Sequence, residues 1–261
     1  MHHTNPQVFL IGESTLVPDG LQALLNHLGA PEWTTDDQSA PEQLIEVMGR
    51  LCYRSFGTGL NPNITRVRQG NRTYLDNIIK TRHGSVLEHA VFNFVFADVS
   101  RVFTHELVRH RAGTAISQES LRFVRLDELG LWLPTVIRED EVATTIFVRT
   151  FEMLEDLQRQ LAIHFQLDSD GVPFSTKKTV TSAMRRIAPI GLSTNIGWSA
   201  NARAIRHIIE MRTEPHAEEE IRLVFGQVAD IMSGRYPNLF GDYQIEMVDG
   251  LPWYKTPNTK V

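Results

Sequence analysis

The sequence contains a single cysteine, Cys52, among its 261 residues, so an intrachain disulfide framework is excluded. It also has no uninterrupted apolar run of the roughly 18 to 20 residues that a membrane-spanning helix needs. Its first residues lack the basic segment and the long apolar core of a signal peptide. We therefore expect a cytoplasmic protein that does not enter the membrane.

An excess of basic charge is also missing. The 26 Lys and Arg residues are outnumbered by 31 Asp and Glu, which gives a formal net charge of −5 at pH 7. A chain without an overall positive field is not expected to bind nucleic acid or a membrane surface through bulk electrostatics. The glycine-rich phosphate loops of the Rossmann and P-loop types are absent as well. Any nucleotide must therefore be bound in another way, by a basic site that is only local.

Hydrophobic residues make up 42% of the chain and charged residues 22%, which is typical of a folded globular protein. The alternation over residues 91–97 predicts a strand with three phenylalanines on one face. Ser100 is a suitable N-cap for a helix that the apolar pattern extends through Arg111. The longest helix is predicted over about residues 139–167, where apolar positions recur near the helical period.

Shorter patterns flank these elements. Further strands are expected at residues 8–11, within 120–133 and within 187–199, and further helices at 21–28, 41–51, 74–80, 174–186, 200–212 and 215–233. Strands scattered among helices, without regular βαβ alternation, favour the α+β class. We expect residues 1–261 to form one α+β domain, a mainly antiparallel sheet flanked by helices.

The basic triplet Arg109-His110-Arg111 is the first candidate functional motif. Cations at a helix C-terminus complement the helix dipole, and this purely structural interpretation is common for an isolated triplet. Here the triplet is followed within a few residues by hydroxyl, amide and guanidinium groups, namely Ser117, Gln118, Ser120 and Arg122. Short hydroxyl donors beside arginine are suited to a phosphate, because the guanidinium fork binds two oxygens and serine adds a third donor. The segment therefore indicates an anionic ligand.

A second basic group lies on the predicted helix over residues 200–212, with Arg185 and Arg186 upstream. Asn201, Arg206 and His207 are also compatible with a solvated helix face. Arg203 and His207 are four residues apart, a spacing at which like charges are mildly unfavourable unless an anion lies between them. A solvated face and a ligand site both stay open at this point.

A metal site is not expected. His105 and His110 resemble the zinc-binding pair of a zincin helix, but they are five residues apart and so point about 140° away from each other on a regular helix. Cys52 lies in an apolar and aromatic context and is interpreted as a packed thiol rather than a nucleophile.

Together these motifs resemble the flavin-dependent thymidylate synthase family. Arg109-His110-Arg111 is followed after eight residues by Ser120, one more than the family's usual spacing, and the extra residue is expected to bulge the loop within 112–115. His83-Gly84-Ser85 with Glu88-His89 resembles the family's flavin-contacting stretch. The helix before the triplet also agrees, with Glu106 where glutamine is usual, and so does Asn201-Ala202-Arg203. The resemblance covers about residues 45–235.

The resemblance implies an enzyme, a methyltransferase that converts dUMP to dTMP with FAD as cofactor and NADPH and methylenetetrahydrofolate as co-substrates. It implies FAD binding by His83, Ser85, Arg109, His110, Arg111, Ser117, Gln118, Asn201, Arg203 and His207. It implies dUMP binding by Glu106, Arg109, Gln118, Ser120, Arg122, Arg185 and Arg212. Arg212 would be the catalytic residue, placed against the uracil so that ionisation at N3 is favoured. The family also implies a homotetramer whose sites are shared between subunits.

The cysteine count agrees with this interpretation. The unrelated cysteine-dependent thymidylate synthases need a Pro-Cys-His nucleophile, and Cys52 has no such neighbours. A family that takes hydride from reduced flavin needs no enzymic thiol, because the cofactor supplies the redox chemistry. Two alternatives remain: a non-catalytic nucleotide- or RNA-binding protein that uses the same Arg and His residues, and a flavoprotein of the same fold with an altered substrate.

Overall fold

The computed structural model describes residues 1–122, 128–259 and 261. The first part of the chain contains strands β1 (His2–His3) and β2 (Gln7–Glu13), helices α1 (Pro18–Leu28), α2 (Ala40–Tyr53) and α3 (Asn71–Lys80), and a 3-10 helix over Gly84–His89. Strand β3 (Val91–Ser100), helix α4 (Arg101–Leu107) and strands β4 (Thr114–Gln118) and β5 (Gly130–Leu131) follow.

The second half is mostly helical. It contains α5 (Thr135–Arg138), α6 (Glu141–His164), α7 (Phe174–Met184), a 3-10 turn over Arg185–Ile187, β6 (Ser193–Asn201), α8 (Ala202–Arg212), α9 (Glu219–Arg235), α10 (Pro237–Phe240), β7 (Gln244–Val248) and β8 (Leu251–Lys255). No helix in the described part of the chain is both long enough and apolar enough to cross a membrane.

The central sheet has the strand order β2-β3-β6-β4, and all its pairings are antiparallel. Phe92, Phe94 and Phe96 are at most 1% exposed, so the predicted apolar face of β3 is confirmed. Opposite them, Trp198 of β6 pairs in register with Phe94. These side chains pack against helices α8 and α9 in the main hydrophobic core, for example against Phe225. The predicted α+β class with a mainly antiparallel sheet is confirmed.

Helix α4 begins where the sequence predicts. The side chain of Ser100 accepts a hydrogen bond from the backbone N–H of Phe103 at 3.1 Å, which is the expected N-cap contact. The long helix is also confirmed as α6, and Asp140 caps its start by accepting from the N–H of Ala143. Val142 and Ile146, two apolar residues that mark this helix, are 70% and 59% exposed. The apolar stripe of α6 is therefore only partly covered within one chain.

Some strands and two side chains differ from the sequence-based predictions. Strand β4 and the hairpin β7–β8 were not anticipated, while residues 123–127 of the stretch expected to contain strand and loop lie outside the described residues. Cys52 is exposed rather than packed, because it lies on the outer side of α2. Arg206 is 3% exposed, so it does not belong to a solvated face.

Candidate active site

The basic triplet Arg109-His110-Arg111 lies in the turn that joins α4 to β4. The N–H of His110 donates to the carbonyl of Leu107 at 3.0 Å, and Gly113 has a left-handed φ of 69°. A Cβ on Gly113 would lie 2.4 Å from Nδ2 of Asn201, so the close approach of these two residues requires glycine. The predicted helix through Arg111 was wrong, since α4 ends at Leu107 and the three side chains leave a turn instead.

The stretch expected to bulge, residues 112–115, overlaps the start of β4. Thr114 pairs with Ala200 and Gln118 pairs with Ile196, and the register between them is regular. Thr114 and Ala115 are therefore regular strand residues, so a bulge within the expected stretch 112–115 would lie at Ala112 or Gly113.

Helix α8 supplies the facing side of the site. Asn201 caps this helix, because its side chain accepts from the N–H of Ala204 at 2.8 Å. The N–H of Asn201 also donates to the carbonyl of Gly113 at 3.1 Å, which ties the start of α8 to the triplet turn. Two residues further, in the first turn of α8, Arg203 forms an ion pair with Glu88 at 2.6 Å. The sheet thus delivers two chain segments, the triplet turn and α8, to the same place.

A cavity of about 620 Å³ lies between these segments. Its lining includes six residues of the expected flavin set: Arg109, His110, Arg111, Asn201, Arg203 and His207. The other lining residues are Glu88, Ala112, Gly113, Ala204, Ile208 and Val261. Three guanidinium groups against one carboxylate make the lining cationic, which suits a ligand that carries phosphate groups.

Arg212, at the end of α8, connects this cavity to a carboxylate on α4. One of its terminal N–H groups donates to Glu106 at 2.8 Å, and its Nε donates to Nε2 of His110 at 2.8 Å. Burial, followed by the charges of Arg212 and His207, lowers the pKa of His110 to about 4. His110 is therefore neutral at pH 7, with Nε2 as acceptor and its proton on Nδ1.

A second polar cluster surrounds the end of β4. The amide of Gln118 donates to the hydroxyl of Thr104 at 3.1 Å, and the N–H of Arg122 donates to the hydroxyl of Ser120 at 3.3 Å. Arg185 lies in the 3-10 turn after α7. None of Ser120, Arg122 and Arg185 is among the described residues that line the 620 Å³ cavity.

Arg101, which the sequence analysis did not select, belongs to this second cluster. Its guanidinium donates to the carbonyl of Glu119 at 3.1 Å, and its buried Nε has no hydrogen-bond partner among the described residues. Burial and then the charge of Arg185 lower the pKa of Arg101. Two guanidinium groups that repel each other are well placed for an anion. Its position at the first residue of a helix, beside the N-terminal end of the helix dipole, is the signal that could have found it.

The remaining flavin candidates lie outside the lining of the cavity. His83 stacks on Tyr53 with ring centroids 5.9 Å apart, and its Nδ1 lies 3.3 Å from the tyrosine hydroxyl. Ser85 is exposed on the 3-10 helix, and Ser117 is exposed on β4. His83, Ser85, Ser117 and Gln118 are not lining residues of the cavity in a single chain.

Glu88 and Val261 are lining residues that the sequence analysis did not place in the site. Glu88 belongs to a motif already noted, and its charge opposite to Arg203 was an available signal. Val261 carries no chemical signal, and only the folded chain brings it to the cavity. Across residues 1–122, 128–259 and 261, no group of three or more His, Cys, Asp or Glu side chains is arranged to hold a metal ion.

The fold and the cavity define a class of α+β proteins with a cationic cavity beside an antiparallel sheet. The family model described as "Thymidylate synthase complementing protein" matches residues 35–238. A flavin-dependent thymidylate synthase from Mycobacteroides abscessus is 36% identical over 234 residues, covering 84% of this chain and 86% of that protein. The chain belongs to the flavin-dependent thymidylate synthase family, as the motifs predict.

Solved structures show the same fold. The UMP/dUMP methylase PolB from Streptomyces cacaoi, bound with 5-Br UMP, matches with a TM-score of 0.64 and 16% identity, over 92% of this chain and 95% of that one. Thymidylate Synthase X from Helicobacter pylori, with FAD and dUMP, matches with a TM-score of 0.55 and 21% identity, over 77% of this chain and 93% of that one.

Proposed function

We propose that the protein catalyses the reductive methylation of dUMP to dTMP, with FAD as cofactor, methylenetetrahydrofolate as carbon donor and NADPH as reductant. One observation carries this proposal: the hydrogen-bonded series Glu106–Arg212–His110 borders the cationic cavity. In this series the guanidinium of Arg212, which is suited to an ionised uracil, is hydrogen-bonded to His110, which lines a cavity suited to a dinucleotide. Membership of the flavin-dependent thymidylate synthase family supports the same assignment.

The cavity residues fit the phosphate groups of FAD. Arg109, Arg111 and Arg203 would hold the pyrophosphate, since arginine forks bind phosphate oxygens in pairs. Neutral His110 can donate from Nδ1 into the cavity without adding charge. His83, Ser85, Ser117 and Gln118, which do not line the cavity in a single chain, would complete the flavin site. When bound and reduced by NADPH, FAD supplies the hydride for the reaction.

The second polar cluster fits the phosphate of dUMP. Ser120, Arg122 and Arg185 would hold its oxygens, with Gln118 and Arg109 nearby, and Arg101 adds a further guanidinium whose buried Nε has no partner among the described residues. Burial and then the charge of Arg185 lower the pKa of Arg101, and a phosphate dianion between the two guanidinium groups would offset their repulsion. The cluster therefore gains more from a phosphate than from a neutral ligand.

Arg212 is proposed as the residue that activates the pyrimidine. Uracil becomes nucleophilic at C5 when negative charge develops on N3 and O4, and a fixed cation beside these atoms stabilises that charge. Glu106 holds the guanidinium at 2.8 Å and His110 accepts from its Nε, so the group is oriented before substrate binds. Orientation of this kind lowers the barrier because no reorganisation is needed during the reaction.

The proposed assembly is a homotetramer in the cytoplasm, with each site shared between subunits. Support comes from apolar side chains that one chain leaves uncovered: Ile163 on α6 is 71% exposed, and Ile116 on β4 is 37% exposed. Strand β4 is also an edge of the sheet. A contact through these faces would bury apolar surface and would bring residues from a second copy to the cavity.

The decisive test measures release of the C5 proton of dUMP as tritium by purified, flavin-loaded protein. We expect release that requires both NADPH and methylenetetrahydrofolate, together with dTMP formation. A flavin-loaded preparation that releases no tritium would refute the assignment. Replacement of dUMP by UMP tests the altered-substrate alternative, and a colourless protein that retains no flavin but binds RNA would support the binding-protein alternative.

A further inference from the structure

Helix α8 contains a buried charge that the proposed chemistry does not use. Arg206 is 3% exposed, and its guanidinium donates to both carboxylate oxygens of Asp242 at 2.7 and 2.8 Å. It also donates to the carbonyl of Leu239 and lies over the ring of Tyr243, 5.2 Å from the ring centroid. Breaking such a buried, bidentate pair by removing one partner is costly. The pair therefore fixes the middle of α8 against the chain that follows α10.

Asp242 binds a second part of the chain through the same carboxylate. The hydroxyl of Thr256 and the side-chain amide of Asn258 both donate to its Oδ2, at 2.6 and 2.8 Å. Burial by itself raises the pKa of this carboxyl. The hydrogen bonds from Arg206 and its positive charge, together with the hydrogen bonds from Asn258 and Thr256, outweigh burial and lower the pKa of Asp242 to about 2. The carboxylate is therefore ionised throughout the physiological range and accepts from three side chains at once.

The residues after β8 that Asp242 holds lead directly to the cavity. We refer to residues 256–259 and 261 as the post-β8 segment. Val261 is 4% exposed, belongs to the main core and lines the cavity. Its carbonyl carbon lies 2.6 Å from the point where a Cβ on Gly84 would be, and Nε of Arg203 lies 2.8 Å from the same point. Gly84 therefore allows the post-β8 segment and a cavity arginine to come together.

We propose that Asp242 is a positioning residue of the cofactor cavity. Through Thr256 and Asn258 it holds the post-β8 segment as one wall of the cavity, and through Arg206 it holds the helix that carries the cavity side chains. The proposal rests on the proposed function to the extent that the ligand is FAD. Asp242 itself does not touch the reacting atoms.

The test distinguishes the contribution of the post-β8 segment to FAD binding from that of the buried ion pair between Arg206 and Asp242. The double variant Thr256→Val, Asn258→Ala removes both donors from the segment and leaves the pair between Arg206 and Asp242 intact. Thr256→Ser keeps the hydroxyl and is the matched control. Lys255→Ala, which removes an exposed ion pair with Glu246 at the end of the same hairpin, is the surface control. Dissociation constants for FAD are measured on the full-length apoprotein by flavin fluorescence, with melting temperature and size-exclusion profile recorded in parallel.

We expect the double variant to raise the FAD dissociation constant by about tenfold or more, which corresponds to 1.4 kcal/mol, with the melting temperature and size-exclusion profile close to wild type. The two controls should bind FAD as wild type does. Asp242→Asn should weaken FAD binding further and also lower the melting temperature, because it leaves the buried guanidinium of Arg206 without its counter-charge.

Three results would overturn the proposal. Unchanged FAD affinity in the double variant would show that the wall does not contribute to binding. Tighter binding would show that the post-β8 segment obstructs the cavity. An Asp242→Asn protein that melts earlier but binds FAD normally would show a purely structural role. A wild-type protein that binds no FAD would instead refute the proposed function, so the two failures are distinguishable.

Discussion

Arg212→Ala is the most informative single substitution, because this side chain joins the two parts of the site. Its side chain is 18% exposed, and it makes charge-assisted hydrogen bonds of 2.8 Å to Glu106 and of 2.8 Å to His110. Loss of a partly buried charge that stabilises a developing anion costs about 2 to 4 kcal/mol. That range corresponds to a roughly 30- to 900-fold decrease in kcat. The lower half is expected, because Glu106 is 31% exposed and solvent screens the contact.

The assay is tritium release from C5-labelled dUMP at saturating substrate and equal flavin loading. Arg212→Lys keeps the charge but not the fork, and we expect an intermediate rate. Arg159→Ala is the matched surface control, since its side chain is 55% exposed and forms ion pairs with Glu155 and Asp156 of its own helix. An Arg212→Ala enzyme that turns over at near the wild-type rate would refute the activating role of this guanidinium.

Three further predictions concern the turn, the imidazole and the helix cap. Gly113→Ala should reduce FAD affinity at least tenfold, because its Cβ would lie 2.4 Å from the side chain of Asn201. Gly250→Ala has a similar φ of 75° but no atom within 4 Å of its Cβ. It should lower the free energy of unfolding by roughly 1 to 2 kcal/mol, the cost of a left-handed alanine, and leave FAD affinity unchanged. NMR titration should find the pKa of His110 near 4, and Arg212→Ala should raise it. Since this pKa lies below the unfolded value of about 6.5, the stability it contributes is complete above that pH and is lost as the pH falls towards 4. Ser100→Ala should lower the free energy of unfolding in urea by about 1 to 2 kcal/mol, because it removes the cap of α4 and the hydrogen bond that the hydroxyl donates to buried Glu220.

Each of these has a clear contrary outcome. Equal FAD affinity in the Gly113 and Gly250 variants would show that the turn does not shape the cavity. A His110 pKa near the ordinary value in wild type would remove the evidence for a neutral acceptor. Ser175→Ala, at an exposed helical position, is the control for the cap substitution, and equal urea midpoints for the two serine variants would contradict the capping argument.

The strongest local signals were sufficient to predict the central elements. Phe92, Phe94 and Phe96 identify β3 because strictly alternating apolar residues all point to one face of a strand, and here that face is buried. Ser100 predicts the start of α4, but its end at Leu107 was not predicted. The turn that follows contains Gly113, which approaches Asn201 at the end of a strand distant in sequence, and no local pattern indicates that contact. Strand β4 was missed because Thr-Ala-Ile-Ser-Gln at an exposed edge has little apolar periodicity.

In the site, too, local motifs were predictable from the sequence and long-range contacts were not. Motif order identified six residues that converge on one cavity, while the rest of the expected set lies outside its lining. Arg206 was compatible with a solvated face because its partner, Asp242, is 36 residues away and lies after two further helices. Pairings of this kind depend on tertiary structure, and no local pattern around Arg206 indicates them. The position of Val261 in the cavity has the same cause.

The cavity takes its lining from four separated stretches of the chain, around Glu88, Arg111, Arg203 and Val261. None of these stretches can form the binding surface alone, so the cavity exists only after the whole antiparallel sheet has assembled. A ligand that binds only the assembled form adds RT ln(1 + [L]/Kd) to its stability, about 2.7 kcal/mol at a hundredfold excess over Kd. The supply of cofactor would then govern how long each newly made chain survives proteolysis. Cells starved of riboflavin would lose the protein itself as well as its activity.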